Sequence, residues 1–482
     1  MNIVFLVIDT LRHDCVGENG NSWIHTPNLD ELAGRSWVFN RAFASSYPTI
    51  PHRTDVITGR YGTPFHPWMP LRFDVPTLPG ALAQAGYCTQ LIHDTPHLVN
   101  GGHAFDWPFH AWTFIRGAEV DRPRIDGEDL TFLPNWKTDP LFDFAGDRKI
   151  PNPPDHTLVT YTRANRQRVK DEDWNAAQLF LSAADFLRDN AGRENFFLWI
   201  DCFDPHEPWD APVEYMRMYD DTPGYDGTID PRAFLGRGGK DASAAVKKRL
   251  KAMYSAKVSF VDHWFGEVLQ ALEETELAAN TAIVVTADHG TNVGERDRFG
   301  TGWPVYEQEA HVPLIVYVPG RGAGQSDMIV QPQDVTATIL GIAGAEKALE
   351  TDGFDLLRLA EEEKDSPRQV ALAGRAAHLW EDDPASILFT VLDEEGYLQW
   401  APSLEHCRLF EYGSPEAVAS PDAETVQTLW ELGLEEVERR RTDPALLEWL
   451  ASGGTSEFPA ECTAWPGPKD WAVYWQRLYN RW

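Results

Sequence analysis

Basic residues are scarce in this chain: 42 Lys and Arg face 74 Asp and Glu, a formal net charge of -32. A surface of that sign repels nucleic acid and anionic membranes and favours solubility, so neither is an expected partner. It also requires that an anionic substrate be drawn in by a local positive centre, a metal or an arginine cluster. Cysteine is scarce as well. The five present, Cys15, Cys88, Cys202, Cys407 and Cys462, are far apart, odd in number and without metal-type spacing. They predict reduced thiols in a cytoplasmic protein. Long apolar runs are missing: no stretch reaches the roughly 18 residues of a membrane span. The run Ile3 to Ile8 behind Met1 has no basic flank and no cleavage site, so no export signal is expected. Internal repeats and low-complexity tracts are absent too.

What is present is the composition of a packed globule, 43% hydrophobic and 12% aromatic with 19 Trp. A length of 482 residues suits one large α/β domain plus a smaller partner. "NIVFLVID", "NFFLWIDCFD" and "TAIVVTADHG" read as buried parallel strands ending in acids. "TLPGALAQAGYCTQLIHD" reads as a helix, a Gly stop and a strand ending near His93. "TPNLDELAGRSWVF" reads as a helix with Thr26 at the N-cap and Pro27 in the first turn. Residues 120–170 and 219–242 read as surface insertions. "EEEKDSPR" marks a linker, dividing the chain into 1–365 and 366–482. Beyond it four short segments predict a small antiparallel sheet, with a hairpin turn at Glu394, Glu395 and Gly396. A helix from Ala423 to Leu450 and a Trp-rich tail that packs back on the body follow. Homo-oligomerisation is compatible with all of this.

Open parallel α/β sheets place their sites at the carboxyl ends of strands. Asp9, Asp201, Asp288 and His289 are therefore expected to converge. Asp9 and Thr10 in "VIDTLRHD", and the Asp288–His289 pair, offer oxygen and nitrogen ligands to a divalent metal. In "YPTIPHRTDVITGR", Thr49 stands at a helix start, where free N–H groups favour an anion, and Arg53 can grip a phosphoryl or sulfuryl oxygen. His206 in "DPHEPWDAP" is flanked by stiffening prolines and is a candidate general acid or substrate ligand. "HDTPHL" adds His93 and Asp94 as candidate substrate-binding groups and His97 as a second candidate acid. Each alone reads equally well as a cap, a turn or a surface residue; specificity comes from their order and from each following a strand.

Taken in that order, these motifs resemble the sulfatase family of the alkaline phosphatase superfamily. "VIDTLRHD" resembles its first metal motif and "TPNLDELA" its signature helix. Thr49, Pro51, Arg53, Thr58 and Gly59 fall on its nucleophile motif. "DPHEPWDAP", "TADHG", "VPLIVYVPG" and "QPQDVTATILGIAG" follow in family order. The resemblance implies an α/β fold with a large, mixed, mostly parallel sheet flanked by helices, and a small C-terminal antiparallel α+β subdomain. It implies one divalent metal (Mn, Zn, Ca or Mg) on Asp9, Asp288, His289 and Thr49, with Thr10 where the family has another carboxylate. It also implies Arg53 beside the nucleophile and His206 on the substrate.

Three departures shape the functional expectation. Thr49 replaces the Cys or Ser that the family oxidises to formylglycine; its methyl puts that aldehyde out of reach, and threonine here is similar to the nucleotide pyrophosphatase/phosphodiesterase branch. "HDTPHL" replaces a Lys-Trp-His segment, and Thr301 and Trp303 stand where a Lys or His is usual. The Asp-plus-His pair of a second zinc site is not found. The expected activity is metal-dependent hydrolysis of a small anionic ester, a phosphodiester or phosphonate, by Thr49, with His206 or His97 protonating the leaving oxygen. The alternatives are a sulfate ester hydrolase without formylglycine and, in another class, a catalytically impaired anion-binding protein on the same fold.

Overall fold

The computed structural model describes residues 1–62, 68–99, 103–121, 123, 157–221, 242–375, 382–440, 442 and 444–459. Most of both expected insertions, and all of the Trp-rich tail beyond 459, lie outside the described residues.

The centre is a nine-stranded mixed sheet. Four of its strands, β1 (Asn2–Ile8), β3 (Cys88–His93), β5 (Phe196–Cys202) and β6 (Thr281–Thr286), run parallel side by side. Adding β2 (Trp37–Phe43) and β4 (Ala111–Phe114), the order is Gly324–Val330, β2, Leu314–Tyr317, β6, β1, β5, β3, β4, with His311–Val312 paired to β2. Leu314–Tyr317 runs antiparallel to both of its neighbours, which makes the sheet mixed. Every residue of β1, β5 and β6 is buried, as expected of strands covered on both faces. One covering layer pairs helix Asn175–Asp189 with the long helix Ala244–Glu274. Because β1, β3, β5 and β6 share a direction, their carboxyl ends lie on one edge, and the acids that follow them are delivered there.

Three local readings need correction. Helix α1 covers only Pro27–Ala33, and the second half of the segment read as helical is strand β2. Trp, Val and Phe suit a half-buried strand, and β2 pairs on both sides. Nor does the Thr26 side chain cap α1. The carboxylate of Asp262, from the long helix, accepts from Asn28 N (3.1 Å) and Leu29 N (2.8 Å). The predicted helix 423–450 is two, Ala423–Arg439 and Pro444–Ala451; Pro444 lacks the N–H needed to continue the first. In the hairpin, Gly396 already begins a strand, and the turn is held by Asp393 Oδ1, which accepts from Glu395 N and Gly396 N at 2.8 Å each.

The second sheet is a four-stranded antiparallel meander of Ala371–Gly374, Phe389–Leu392, Gly396–Trp400 and Arg408–Glu411. Its inner core includes Leu398, Trp400, Trp430 and Trp449. Its other side shares a cluster with Phe43, Tyr47 and Val305 of the main body. Polar clamps reinforce that seam. Tyr47 N donates to Gly374 O (2.8 Å), Arg440 Nη1 donates to Ser45 Oγ (3.2 Å), and Arg368 makes a two-pronged pair with Asp334 (2.5 and 3.0 Å). Both members of that last pair are buried, so removing one leaves an uncompensated charge. Arg368→Met is expected to lower stability by about 3–5 kcal/mol, read as a shift in the urea midpoint. Arg72→Ala, which removes an exposed pair with Asp74, is expected to leave the midpoint unmoved.

Candidate active site

Helix α2 (Thr49–Thr58) is buried along its whole length. Its entry is tied down by Asp55, whose carboxylate accepts from Ser46 N (3.0 Å) and Gly62 N (3.3 Å). No side chain caps its first turn, so the leading N–H groups remain available to an anion. One turn on, Arg53 leaves the helix towards the strand ends. Its Nε and Nη2 form a fork on Asp201 (2.8 Å each), Nη2 also reaches Asp9 Oδ2 (3.1 Å), and Nη1 reaches Asp288 Oδ2 (2.5 Å). Nη1 further donates to the carbonyl of Thr49 (3.2 Å). A single guanidinium thus joins the ends of β1 and β5 and the loop after β6 to the first residue of α2. All four charged side chains are completely buried.

Asp201 is fully used in this frame, accepting also from Thr95 Oγ1 (2.5 Å) and Trp199 Nε1 (3.2 Å). It anchors Arg53 and has no free lone pair directed elsewhere. Asp9 and Asp288 differ. With His289 they offer ligand atoms within 4.8 Å of one another. Asp9 Oδ1, His289 Nε2 and Thr10 Oγ1 are buried without a hydrogen-bond partner. His289 Nδ1 is occupied by the carbonyl of Gly290 at 2.7 Å, which puts the proton on Nδ1 and the lone pair on Nε2. Gly290 is required here, because a Cβ would stand 2.1 Å from the carbonyl oxygen of Gln308.

Burial, and then the charge of Asp288, push the Asp9 carboxyl well above its usual range. Burial also works against ionised Asp288, but His289 and Arg53 hold it low, and burial keeps His289 neutral. Two carboxylates at this spacing hold a proton between them unless a cation takes its place. Neutral imidazole and carboxylate oxygens are the donors a divalent ion takes, so the residues present fit the group. Thr10 sits at φ 59, a costly backbone for a β-branched residue. The turn is held by Thr10 N on Asp288 Oδ1 (3.1 Å) and by Tyr254, whose hydroxyl donates to Thr10 O (2.9 Å).

The histidine loop forms a second layer. Lys257 Nζ, from the long helix, bridges Asp204 (2.5 Å) and Asp210 (3.2 Å) and so pins both ends of the segment carrying His206. His206 lies flat on Phe203, with 4.4 Å between ring centres, and His97 meets Phe203 and Trp68 edge-on. Both histidines are close enough to feel the charge of Asp288. Their protonation differs. Burial opposes charging His206, but Glu207 and Glu119, each within 4 Å of Nδ1, raise its pKa. Burial and the neighbouring His206 push His97 far down.

His93 and Asp94 are completely buried, and each has one polar atom bonded internally and one, His93 Nε2 and Asp94 Oδ2, without a hydrogen-bond partner. His93 stacks on Phe114 with Nδ1 at Thr95 O (3.2 Å), and burial lowers it to about 4. Asp94 Oδ1 accepts from Phe203 N (2.6 Å). Trp209, in the His206 loop, is core against Tyr254 and Phe299, whereas Trp112 is exposed. Sequence reasoning left three groups without a role. His52 is buried beside Arg53 with both ring nitrogens unpaired. Lys257 sits inside a helix, and Glu119 belongs to no motif; neither carries a local signal.

The Sulfatase family profile matches residues 1–345, and this chain belongs to that family. The arylsulfatase of Clostridium perfringens (strain 13 / Type A) is 27% identical over 395 residues, 75% of this chain and 78% of that protein. The iduronate 2-sulfatase of Mus musculus is 26% identical over 355 residues, 67% of this chain but 60% of its own length. In fold the chain is similar to the phosphonate monoester hydrolase SpPMH from Silicibacter pomeroyi, with a TM-score of 0.65, 23% identity and coverage of 91% and 95%. The chain is an ester-bond hydrolase of a family whose members use a divalent metal. Dialysed protein is expected to take up one equivalent of Mn²⁺ with a rise in melting temperature. His289→Ala should weaken uptake by at least about tenfold, measured by isothermal titration calorimetry.

Proposed function

We propose that this protein hydrolyses a phosphodiester or phosphonate monoester through a covalent ester on Thr49. The observation that carries the reading is the placement of Thr49. It is the first residue of an uncapped helix, tied by its carbonyl to the guanidinium that pairs with Asp9, Asp201 and Asp288. Asp9, Asp288 and His289 would hold a divalent cation, which would supply the positive charge that activates a hydroxyl nucleophile and polarises the ester. Arg53 holds the helix start against that cluster and, being saturated by carboxylates, acts by positioning. The N–H groups of the first turn of α2 face charge that develops on the non-bridging oxygens. His206, whose pKa is raised by Glu207 and Glu119, donates its proton to the leaving oxygen. His97, held neutral, lines that end.

Release from Thr49 requires water to attack the central atom of the ester, because an alkoxide ester lacks the second hydroxyl by which a formylglycine adduct collapses. This favours phosphorus over sulfur. A sulfate ester is the second reading, favoured by the names of relatives such as the Clostridium perfringens arylsulfatase.

With p-nitrophenyl sulfate, phosphate, phenylphosphonate and a phosphodiester offered with Mn²⁺, Zn²⁺ or Ca²⁺, the phosphonate and diester are expected to turn over fastest. Thr49→Ala should lose about 10³-fold or more in kcat, with part recovered in Thr49→Ser; a loss under tenfold removes Thr49 from the chemistry. Since His206 is raised above its ordinary value, kcat/KM should fall on the alkaline side as it deprotonates. His206→Gln should flatten that limb and cost about 10²–10⁴-fold with alkyl esters, less with p-nitrophenol, which needs little help in leaving.

A further inference from the structure

This inference rests on the reading above and concerns the leaving group at the same site. The ester end has a helix start and Arg53, outnumbered by Asp9, Asp201 and Asp288, a deficit that a bound divalent cation would offset. The end occupied by His206 has Glu207 Oε2 at 3.6 Å and Glu119 Oε2 at 3.7 Å from the imidazole Nδ1. Glu207 is 7% and Glu119 15% exposed in the side chain. Among the described residues neither is ion-paired to a lysine or arginine, and Glu207 Oε2 has no hydrogen-bond partner. Of the described basic groups, Lys257 is committed to Asp204 and Asp210, Arg168 to Asp210, and Arg116 to Asp121.

Among the described residues, two carboxylates against one imidazolium leave this end with one unbalanced negative charge when all three are ionised. An unbalanced buried carboxylate is costly, and burial pushes Glu119 up to about 7, so its charge is only partly expressed near neutrality. A cation beside it would fix that charge. Ring contacts run from His206 to Phe203, from Phe203 to His97 and from His97 to Trp68, and aromatic faces are surfaces that accept an ammonium group. A second anionic group on the leaving alcohol would meet the same carboxylates and be repelled.

We propose that the substrate is an ester of an alcohol bearing a positively charged nitrogen, recognised by Glu119 and Glu207 at the leaving-group end. The test uses three alkyl esters of whichever acid the p-nitrophenyl panel selects: 2-(trimethylammonio)ethyl, its uncharged isostere 3,3-dimethylbutyl, and 3-carboxypropyl. The cationic ester is expected to exceed the neutral one by about tenfold in kcat/KM, and the carboxylate ester to be poorest. In Glu119→Gln the ratio of cationic to neutral should shrink, and in the double variant E119Q/E207Q it should approach unity. Loss of His206 acidity lowers both rates, so the ratio is the readout. Equal or faster turnover of the neutral ester by the unaltered protein overturns the proposal, as does a ratio that survives in the double variant. Should that variant fail to fold, choline against 3,3-dimethylbutanol as inhibitors of p-nitrophenyl ester turnover decides: stronger inhibition by choline supports the proposal, and equal inhibition overturns it. Failure of the underlying reading looks different, since Thr49→Ala would then leave the p-nitrophenyl rates intact.

Discussion

The buried contact of Arg53 with Asp9, Asp201 and Asp288 is the constraint on which the rest of this structure depends. Four charges are withdrawn from water, and such groups are tolerated only when paired and hydrogen-bonded. One guanidinium cannot neutralise three carboxylates. Asp201 takes the fork and two neutral donors and is satisfied; Asp9 and Asp288 are left with the deficit, and His289 stands beside them with an unshared lone pair. The candidate cation site follows from that deficit: three acids brought to one point at the strand ends, and one buried arginine to oppose them.

The same arginine explains why the nucleophile candidate belongs to the site at all. Thr49 is bound to it through a backbone carbonyl, so the helix start cannot drift without disturbing the acids. Support comes from behind. Asp55 holds the loop entering α2, and the small sheet presses on that loop through Tyr47 and Gly374, with Arg440 on Ser45. On this geometry the C-terminal sheet is a buttress for the helix that carries Thr49 and Arg53, and residues far from the chemistry contribute to its precision.

Two histidines of similar surroundings are given opposite states by their neighbours. Burial opposes charge on both. Glu207 and Glu119 outweigh it at His206, whereas at His97 the charge of His206 adds to burial and outweighs the opposing pull of Asp288. The same residue type is thereby shifted in opposite directions, and the cause is electrostatic.

Much of this was legible in the order of residues. Buried strands ending in acid, followed by Asp9, Asp201 and Asp288, announced a parallel sheet and the edge on which its chemistry sits. Thr49 and Arg53, one helical turn apart, announced a helix start with an arginine facing the same way. What the sequence by itself determined are the properties carried by local chemistry: strand burial, helix starts, a threonine that cannot become an aldehyde, and an excess of acid. It did not reveal that β2 is a strand, because Trp37 to Phe39 continue an apolar pattern whose sheet partners come from some 280 residues further along. Nor did it show that Asp201 serves the arginine rather than a metal, that Lys257 clasps the His206 loop, or that Glu119 lies against His206. Those assignments belong to the tertiary structure alone, since a charged group's role is set by the partners it meets when water is excluded, and here these partners lie far apart along the chain.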